Sequence, residues 1–294
     1  MTEIWTLGRM LAWATPFLQK HGSESPRLDA ELLLCATTGL RRLDLYIDHE
    51  RPLQPDELER FRALIRRRAR AEPVAYILGH KSFHGVELQV GPAVLVPRPE
   101  TESLVDRALQ FLATEAAPSG MVVDVGTGSG AVALALAAAL RARGDARPIG
   151  ATDISAAALD VARANATQLG LDAALTFAEA PLLGPFAAPS SLAGVYSNPP
   201  YIRRDRLAGL PLTVRGYEPR LALDGGEDGL DVLRPLARAA LVALQPGGQF
   251  AAELGDREQG REMVQLLQGA GAVDARCDPI GPGPTAIVSA RRAV

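Results

Sequence analysis

Along the first third of the chain apolar residues return every three or four positions, the period of a helix with one face inward. Ser25-Pro26 reads as an N-cap followed by proline at the first helical position, and Leu28, Leu32 and Cys35 share one face of the helix that follows. Pro55 opens another, with Leu58, Phe61 and Ile65 inward and Arg60, Arg62, Arg66, Arg67 and Arg70 largely outward. From Glu72-Pro73 the texture changes to β-branched and aromatic residues punctuated by glycine: Tyr76-Ile77-Leu78-Gly79, Phe83-His84-Gly85, Val86 to Val90, then Val94 to Val96. This predicts a hairpin. After Pro97-Arg98-Pro99, helical spacing returns from Glu100 to Ala113.

From Met121 onward short apolar runs alternate with longer helical patterns. Strands are predicted over 121–125, 149–152, 175–177, 194–197 and 249–253, and helices over 128–141, 155–169, 230–244 and 257–268. Two candidate strands close the pattern, around 273–276 and 285–290, with no helix between them. Strands alternating with helices imply right-handed crossovers and a parallel sheet covered on both faces, and the closing pair implies an antiparallel edge. The fold class is therefore α/β, a doubly wound, mostly parallel sheet with a small all-helical N-terminal domain. Its regions are 1–72, helical; 73–97, a β-hairpin connector; and 98–294, the α/β domain. Ligands in such sheets bind at the carboxyl ends of the strands, at the switch point.

The 294 residues leave room for a sizeable core. With 31 Lys+Arg against 34 Asp+Glu the formal net charge is -3, which disfavours a chain whose main task is gripping a nucleic-acid backbone. The arginines after Pro55 then read as a solvated helix face. Cys35 and Cys277 are far apart and outside any C-x-x-C pattern, which argues against a zinc site and an oxidising compartment. Cys35 is expected in the core. Neither Met1 to Lys20 nor Ala131 to Leu140 is an apolar run long enough to span a membrane, and the former lacks the layout of a signal peptide. The expected address is the cytoplasm. His80 and His84 lack metal-ligand spacing, so no metal is expected.

Asp124-Val125-Gly126-Thr127-Gly128-Ser129-Gly130 ends the first parallel strand and starts a helix. Three glycines allow a sharp turn and close backbone approach to a ligand, while the helix N-terminus offers N–H groups to an anionic part of it. Lacking a following Lys-Ser/Thr, the loop is not a P-loop. Ala131 completes G-x-G-x-x-A, so a nicotinamide cofactor stays open at this point. Asp153, ending the second strand, is placed to bond vicinal ribose hydroxyls or else to cap the helix beginning at Ser155.

Ser197-Asn198-Pro199-Pro200-Tyr201 follows a strand at the same sheet edge. Two prolines fix the backbone and remove two N–H groups, so carbonyls stand there as acceptors. The Asn198 side-chain oxygen and the Pro199 carbonyl can both accept from one planar –NH2 group, with Pro200 and Tyr201 offering flat surfaces to it. That chemistry suits an amide or aromatic amine attacking an electrophilic methyl, driven by positioning and electrostatics. It has no evident use for a hydride acceptor.

These segments resemble the bacterial protein-(glutamine-N5) methyltransferases that modify class I peptide chain release factors. The resemblance runs from about Glu72 onward, through 72–79, Phe83-His84-Gly85, Val96-Pro97-Arg98-Pro99-Glu100-Thr101-Glu102, 124–130, 198–201, Tyr217-Glu218-Pro219 and 225–230. It implies a class I S-adenosylmethionine-dependent methyltransferase fold and release of S-adenosylhomocysteine. It implies that Gly126, Thr127, Gly128, Ser129 and Gly130 hold the methionine part, Asp153 the ribose, and Asn198 to Tyr201 the target glutamine, with Asn198 also beside the cofactor. It puts Pro181 near the adenine, within Glu179-Ala180-Pro181-Leu182, where the family often has an acid followed by an aromatic. The implied partner is a release factor, its target the glutamine of a Gly-Gly-Gln motif, docked with help from the helical first third. No stable nucleic-acid complex and no membrane are expected. Asn-Pro-Pro-Tyr alone is shared with adenine N6-methyltransferases of nucleic acids, and a ribosomal-protein glutamine methyltransferase is a further alternative. Glu218 could neutralise an arginine or touch substrate, and Pro279 to Pro284 has no assigned role.

Overall fold

The computed structural model describes residues 4–294, and its chain divides into two compact units, 1–80 with 211–217, and 81–210 with 218–294. The first holds α1 (Leu7–Lys20), α2 (Pro26–Thr38), α3 (Asp44–Ile47), α4 (Pro55–Ala69) and α5 (Val74–Leu78). Thr6 caps α1 by accepting from the Arg9 amide, and Gln54 and Glu57 form a capping box ahead of α4. Leu7, Met10, Leu33, Leu34, Phe61 and Ile65 make the core. Fully buried, Phe61 alone contributes roughly 1.5–3 kcal/mol relative to exposure.

The face expected for α2 is wrong. Leu28 is exposed, and Leu32 and Cys35 are only half-buried, while Ala30, Leu33, Leu34 and Thr37 point inward together with Asp29 and Glu31. The two acids can be buried because each is paired. Asp29 accepts from Arg68 at 2.6 Å and from the Ser23 hydroxyl, whereas Glu31 accepts from Arg27 and Arg42 and is bonded by Tyr46. Arg68 is thus the one arginine of α4 that turns inward, while Arg60 and Arg67 pair outside with Asp56 and Glu72.

Residues 76–78, expected in a hairpin, are the end of α5, closed by Gly79 at φ 81°. Val74, Ile77 and Leu78 pack into the helical core, which carries the first unit to His80 rather than to residue 72. The hairpin itself is β1 (His80–Phe83) and β2 (Val86–Gln89), joined through His84 and Gly85, both at positive φ as a primed two-residue turn requires. Phe83, Val86 and Leu88 enter the core of the second unit, so the hairpin is packed structure there. Val94 to Val96 forms no strand.

The second unit continues with α6 (Glu102–Leu112), β3 (Met121–Val125), α7 (Ala131–Ala142), β4 (Ile149–Asp153), α8 (Ala156–Leu169), β5 (Leu175–Glu179) and β6 (Leu192–Ser197). A short α9 (Leu212–Arg215) belongs to the first unit, where Tyr217 donates to the Arg70 carbonyl. Then come α10 (Leu233–Ala243), β7 (Leu244–Leu254), α11 (Arg257–Gly269), β8 (Ala272–Pro279) and β9 (Ala286–Arg292). The sheet order is β5-β4-β3-β6-β7-β9-β8, parallel except that β9 runs antiparallel to both neighbours. Val122 faces the layer containing α6 and α7, Val123 and Val125 the layer containing α10 and α11, so both faces of β3 are buried, and it and β6 read as nearly continuous apolar runs. Pro279 to Pro284 is the end of β8 and the loop of this last hairpin, with the Ile280 amide bonded to the Thr285 carbonyl.

Because the chain leaves β3 toward β4 in one direction and reaches β6 in the other, the switch point lies at the carboxyl end of β3. Register aligns Val125 with Thr152 on one side and Ser197 on the other. The segments following all three strands therefore emerge side by side.

Candidate functional site

At that edge of the sheet lies a cavity of about 220 Å³. Gly126, Thr127, Gly128 and Ser129 line it, as do Asp153, Asn198 and Pro200. Gly126 and Gly128 have φ of 71° and 55°, and a Cβ on either would point into open space. Gly130 does something else: its Cβ would lie 2.7 Å from Leu134 and 3.3 Å from Ala162, so it allows α7 and α8 to close behind the loop. It does not line the cavity.

Four of the loop's N–H groups are already spent within the protein. Gly126 and Thr127 both donate to the Thr152 carbonyl, Gly130 donates to Thr127, and Gly128 donates to Asp153 Oδ2 at 2.9 Å. The ionisable side chains lining the cavity are Asp124, Asp153, Asp224 and Arg98, and Arg98 already places one nitrogen on both oxygens of Glu218 at 2.7 and 2.8 Å. Asp224 is in turn paired with Arg204 and Arg220, so the negative character of the site rests on Asp124 and Asp153. Such a site suits a cationic ligand bearing hydroxyls, and it opposes the pyrophosphate of a dinucleotide.

Asp124 makes this concrete. Its Oδ2 accepts from the Thr127 hydroxyl and the Ala133 amide, while Oδ1 is buried without a partner. Burial pushes its carboxyl up from the usual 3.8 to about 6. A buried carboxylate oxygen with nothing to accept from, beside a ligand-sized cavity, is a place for an ammonium or other cation.

Asp153 bridges loop and helix, its Oδ1 accepting from the Ser155 amide while Ser155 caps α8 through Ala158. The helix cap is thus Ser155. Pro181 is exposed and off the cavity, its neighbours Ala180 and Leu182 lining it instead. Thr152 donates to the Leu182 carbonyl at 2.6 Å and holds Leu182 at a positive φ of 51°.

Asn198 lines the cavity, and its Nδ2 lies 2.9 Å from Thr101 Oγ1. Pro199, whose carbonyl was expected to accept from the substrate, is buried and does not line the cavity. Tyr201, expected to offer a flat surface, is not on the cavity; its hydroxyl donates to Glu253 at 2.9 Å, and burial raises its pKa. Behind it the 225–229 segment packs backbone to backbone, where a Cβ on Gly225 would lie 2.8 Å from the Pro200 oxygen and one on Gly229 2.2 Å from that of Tyr201. Gln259 Nε2 ties the Tyr201 and Asp228 carbonyls together, and its oxygen accepts from Gly255. Glu218 neutralises Arg98 from a buried position that raises its own pKa.

Sequence reasoning missed Thr101, Asn165, Glu253 and Gln259. Asn165, buried on α8, accepts from the Gln89 amide and donates to the Ser129 and Gln89 carbonyls, bracing the loop from behind. Its only signal was a polar residue on an apolar helix face. A second cavity holds Arg107, Arg276 and Arg291, each already paired with Asp278 or Asp274. No group of three or more His, Cys, Asp or Glu among the described residues could hold a metal, and no helix among them is long and apolar enough to cross a membrane.

Two family models match, the PrmC N-terminal domain over 9–79 and the methyltransferase small domain over 101–209. Curated relatives called release factor glutamine methyltransferase include those of Moorella thermoacetica, 44% identical over 91% of both chains, and Chlorobaculum tepidum, 42% identical over 93% of both. The chain belongs to the release factor glutamine methyltransferase family. It is an enzyme of the methyltransferase class. The fold is shared with the hMettl16 catalytic domain solved in complex with the MAT2A 3'UTR hairpin 6, at 15% identity and a TM-score of 0.57, covering 78% of this chain and 81% of that one. A human methyltransferase 10 domain containing protein is also similar, at 15% identity and a TM-score of 0.51, covering 70% of this chain and 88% of that one.

Proposed function

We propose that this methyltransferase moves a methyl group from S-adenosylmethionine to the side-chain amide nitrogen of the glutamine in the Gly-Gly-Gln motif of class I peptide chain release factors. The observation that carries this reading is one cavity lined both by Asp124, with its unpartnered buried oxygen, and by the Asn198 carboxamide. When bound, S-adenosylmethionine supplies a methyl on a sulfonium, a leaving group that departs as a neutral thioether.

The residues fit that cofactor. Asp124 Oδ1 would take the methionine ammonium, Gly126 to Ser129 would allow close backbone approach, and Asp153 would accept from the ribose hydroxyls. Ala180, Leu182 and Ile154, which line the same cavity, would give the adenine apolar walls. The acidic lining favours the positive charges of the substrate complex, and no metal is called for.

Asn198 Oδ1 and the Pro199 carbonyl would each accept one proton of the glutamine –NH2. Holding it so turns the amide plane and its nitrogen toward the methyl and draws electron density onto nitrogen as the N–C bond forms. One amide proton is then lost to solvent, which balances the charge. Pro200 bounds the pocket beside Asn198.

The helical unit 1–80 is read as an aid to docking the release factor, and the cytoplasm as the compartment. The test is mass spectrometry of a co-expressed class I release factor. One added methyl on the Gly-Gly-Gln glutamine is expected, and an unmodified glutamine with methylated adenine in nucleic acid would replace this reading by the adenine one.

A further inference from the structure

A carboxamide can face a substrate with either end, and only the oxygen end can accept from a glutamine –NH2. What decides the end presented by Asn198 lies behind it. Glu253, on β7 and 1% exposed, has Oε2 2.7 Å from Thr101 Oγ1 and Oε1 2.9 Å from the Tyr201 hydroxyl. An ionised carboxylate only accepts, so each hydroxyl spends its single proton on it. Thr101 Oγ1 is left with lone pairs. The Asn198 atom 2.9 Å from it must then be the nitrogen, which turns Oδ1 the other way. With the carboxamide reversed, two oxygens would face each other with no proton between them.

We propose that Thr101 and Glu253 are positioning residues of the methyl transfer, acting through this hydroxyl relay to fix which end of the Asn198 carboxamide meets the substrate. The proposal rests on the reading of Asn198 as the acceptor for the substrate amide. Three elements distant in sequence converge on it: the turn 99–101 before α6, the end of β7 and the segment after β6. Burial raises the pKa of Glu253 while the bonds from Thr101 and Tyr201 lower it, so the two hydroxyl donors favour the ionised form that the relay uses.

The test is single-turnover methylation of a purified class I release factor, with release factor concentration varied, alongside cofactor titration and thermal melting. Thr101→Val keeps the side-chain shape and removes the hydroxyl. It should lower the methylation rate by roughly 10- to 100-fold, the range for loss of one aligned polar group, while cofactor affinity stays within about threefold. Thr101→Ser should recover most of the rate. Glu253→Leu frees the Thr101 proton to bond Asn198 Oδ1 and so reverses the carboxamide, giving a comparable loss. Glu253→Gln should restore much of it, since its Oε1 can take Thr101 while Nε2 donates to the Tyr201 oxygen.

Asn198→Ala separates the two ideas. If the wild-type protein methylates no release factor, or Asn198→Ala keeps normal activity, the functional reading itself fails. If Asn198→Ala is inactive while Thr101→Val and Glu253→Leu stay within about threefold of wild type, the relay alone is wrong. A serine variant as impaired as the valine, or a glutamine variant as impaired as the leucine, would equally overturn it, because then shape or charge and not the relay is what matters.

Discussion

The Asp153 carboxylate at the end of β4 accepts from the Gly128 amide at 2.9 Å, so the acid of one strand closes the glycine loop of the next. Asp153 therefore shapes the cavity before any ligand enters, and removing it does two things at once. In Asp153→Ala, Gly128 loses its partner and a ribose its acceptor. Affinity for S-adenosylmethionine should fall by roughly 10- to 100-fold, or about 1.4–2.8 kcal/mol. Calorimetric titration that found unchanged affinity would remove Asp153 from the cofactor site.

Asp124 predicts an opposition between stability and binding. Its folded pKa of about 6 lies above the usual 3.8, so between about pH 4 and 6 the folded protein binds more protons than the unfolded one. Stability from this group is lost as pH rises through that window, and at pH 7 the cost is on the order of 3 kcal/mol. Relative to wild type, ligand-free Asp124→Asn should gain melting temperature at pH 7 and lose that gain toward pH 4. Its affinity for a cationic cofactor should nevertheless drop. An equal difference in melting temperature at both pH values would contradict the assignment.

Gly229 has φ 83° and no room for a side chain. In Gly229→Ala the new methyl would press on the Tyr201 carbonyl and on Gln259 Nε2, so the acceptor turn has to shift. A stability loss of at least about 2 kcal/mol is expected, together with turnover falling further than cofactor affinity. Urea denaturation and the same titration check both parts.

The buried pair Asp29–Arg68 gives a prediction confined to the helical unit. Arg68→Ala leaves a carboxylate buried without its partner, at a cost of about 3–5 kcal/mol. Replacing both, with Asp29→Leu and Arg68→Met, should recover most of that loss. Trp5 and Trp13, the two tryptophans of the chain, both lie in this unit, so tryptophan fluorescence follows its unfolding directly. A single variant no less stable than the double one would refute the pairing argument.

How legible all this was in the sequence depended on whether a residue's partner lay nearby. Strands β3 and β6 announce themselves because central parallel strands covered on both faces are nearly unbroken apolar runs. The glycine loop and Asn198 were legible because their chemistry is written in consecutive residues. The α2 face was misread because Asp29 and Glu31 look like solvent positions until Arg68 and Arg42 are known to come back to them. Tyr76 to Leu78 was too short an apolar run to separate helix from strand. Thr101 stood inside a segment that carried the resemblance but had no role of its own there, and Glu253 carried no local signal; 152 positions apart, they meet only in the folded sheet.

The placement of β9 between β7 and β8 has a consequence for synthesis. β8 has no sheet partner other than β9, and β7 gains its second neighbour only when residues 286–292 arrive. A growing chain can assemble the β5-β4-β3-β6-β7 half while it is still tethered to the ribosome, but it holds an open, apolar edge until that late segment inserts. Premature termination anywhere before Ala286 should thus yield aggregating material rather than a weakened enzyme. For this fold, the inner edge of β7 stays unpaired until residues 286–292 have been made.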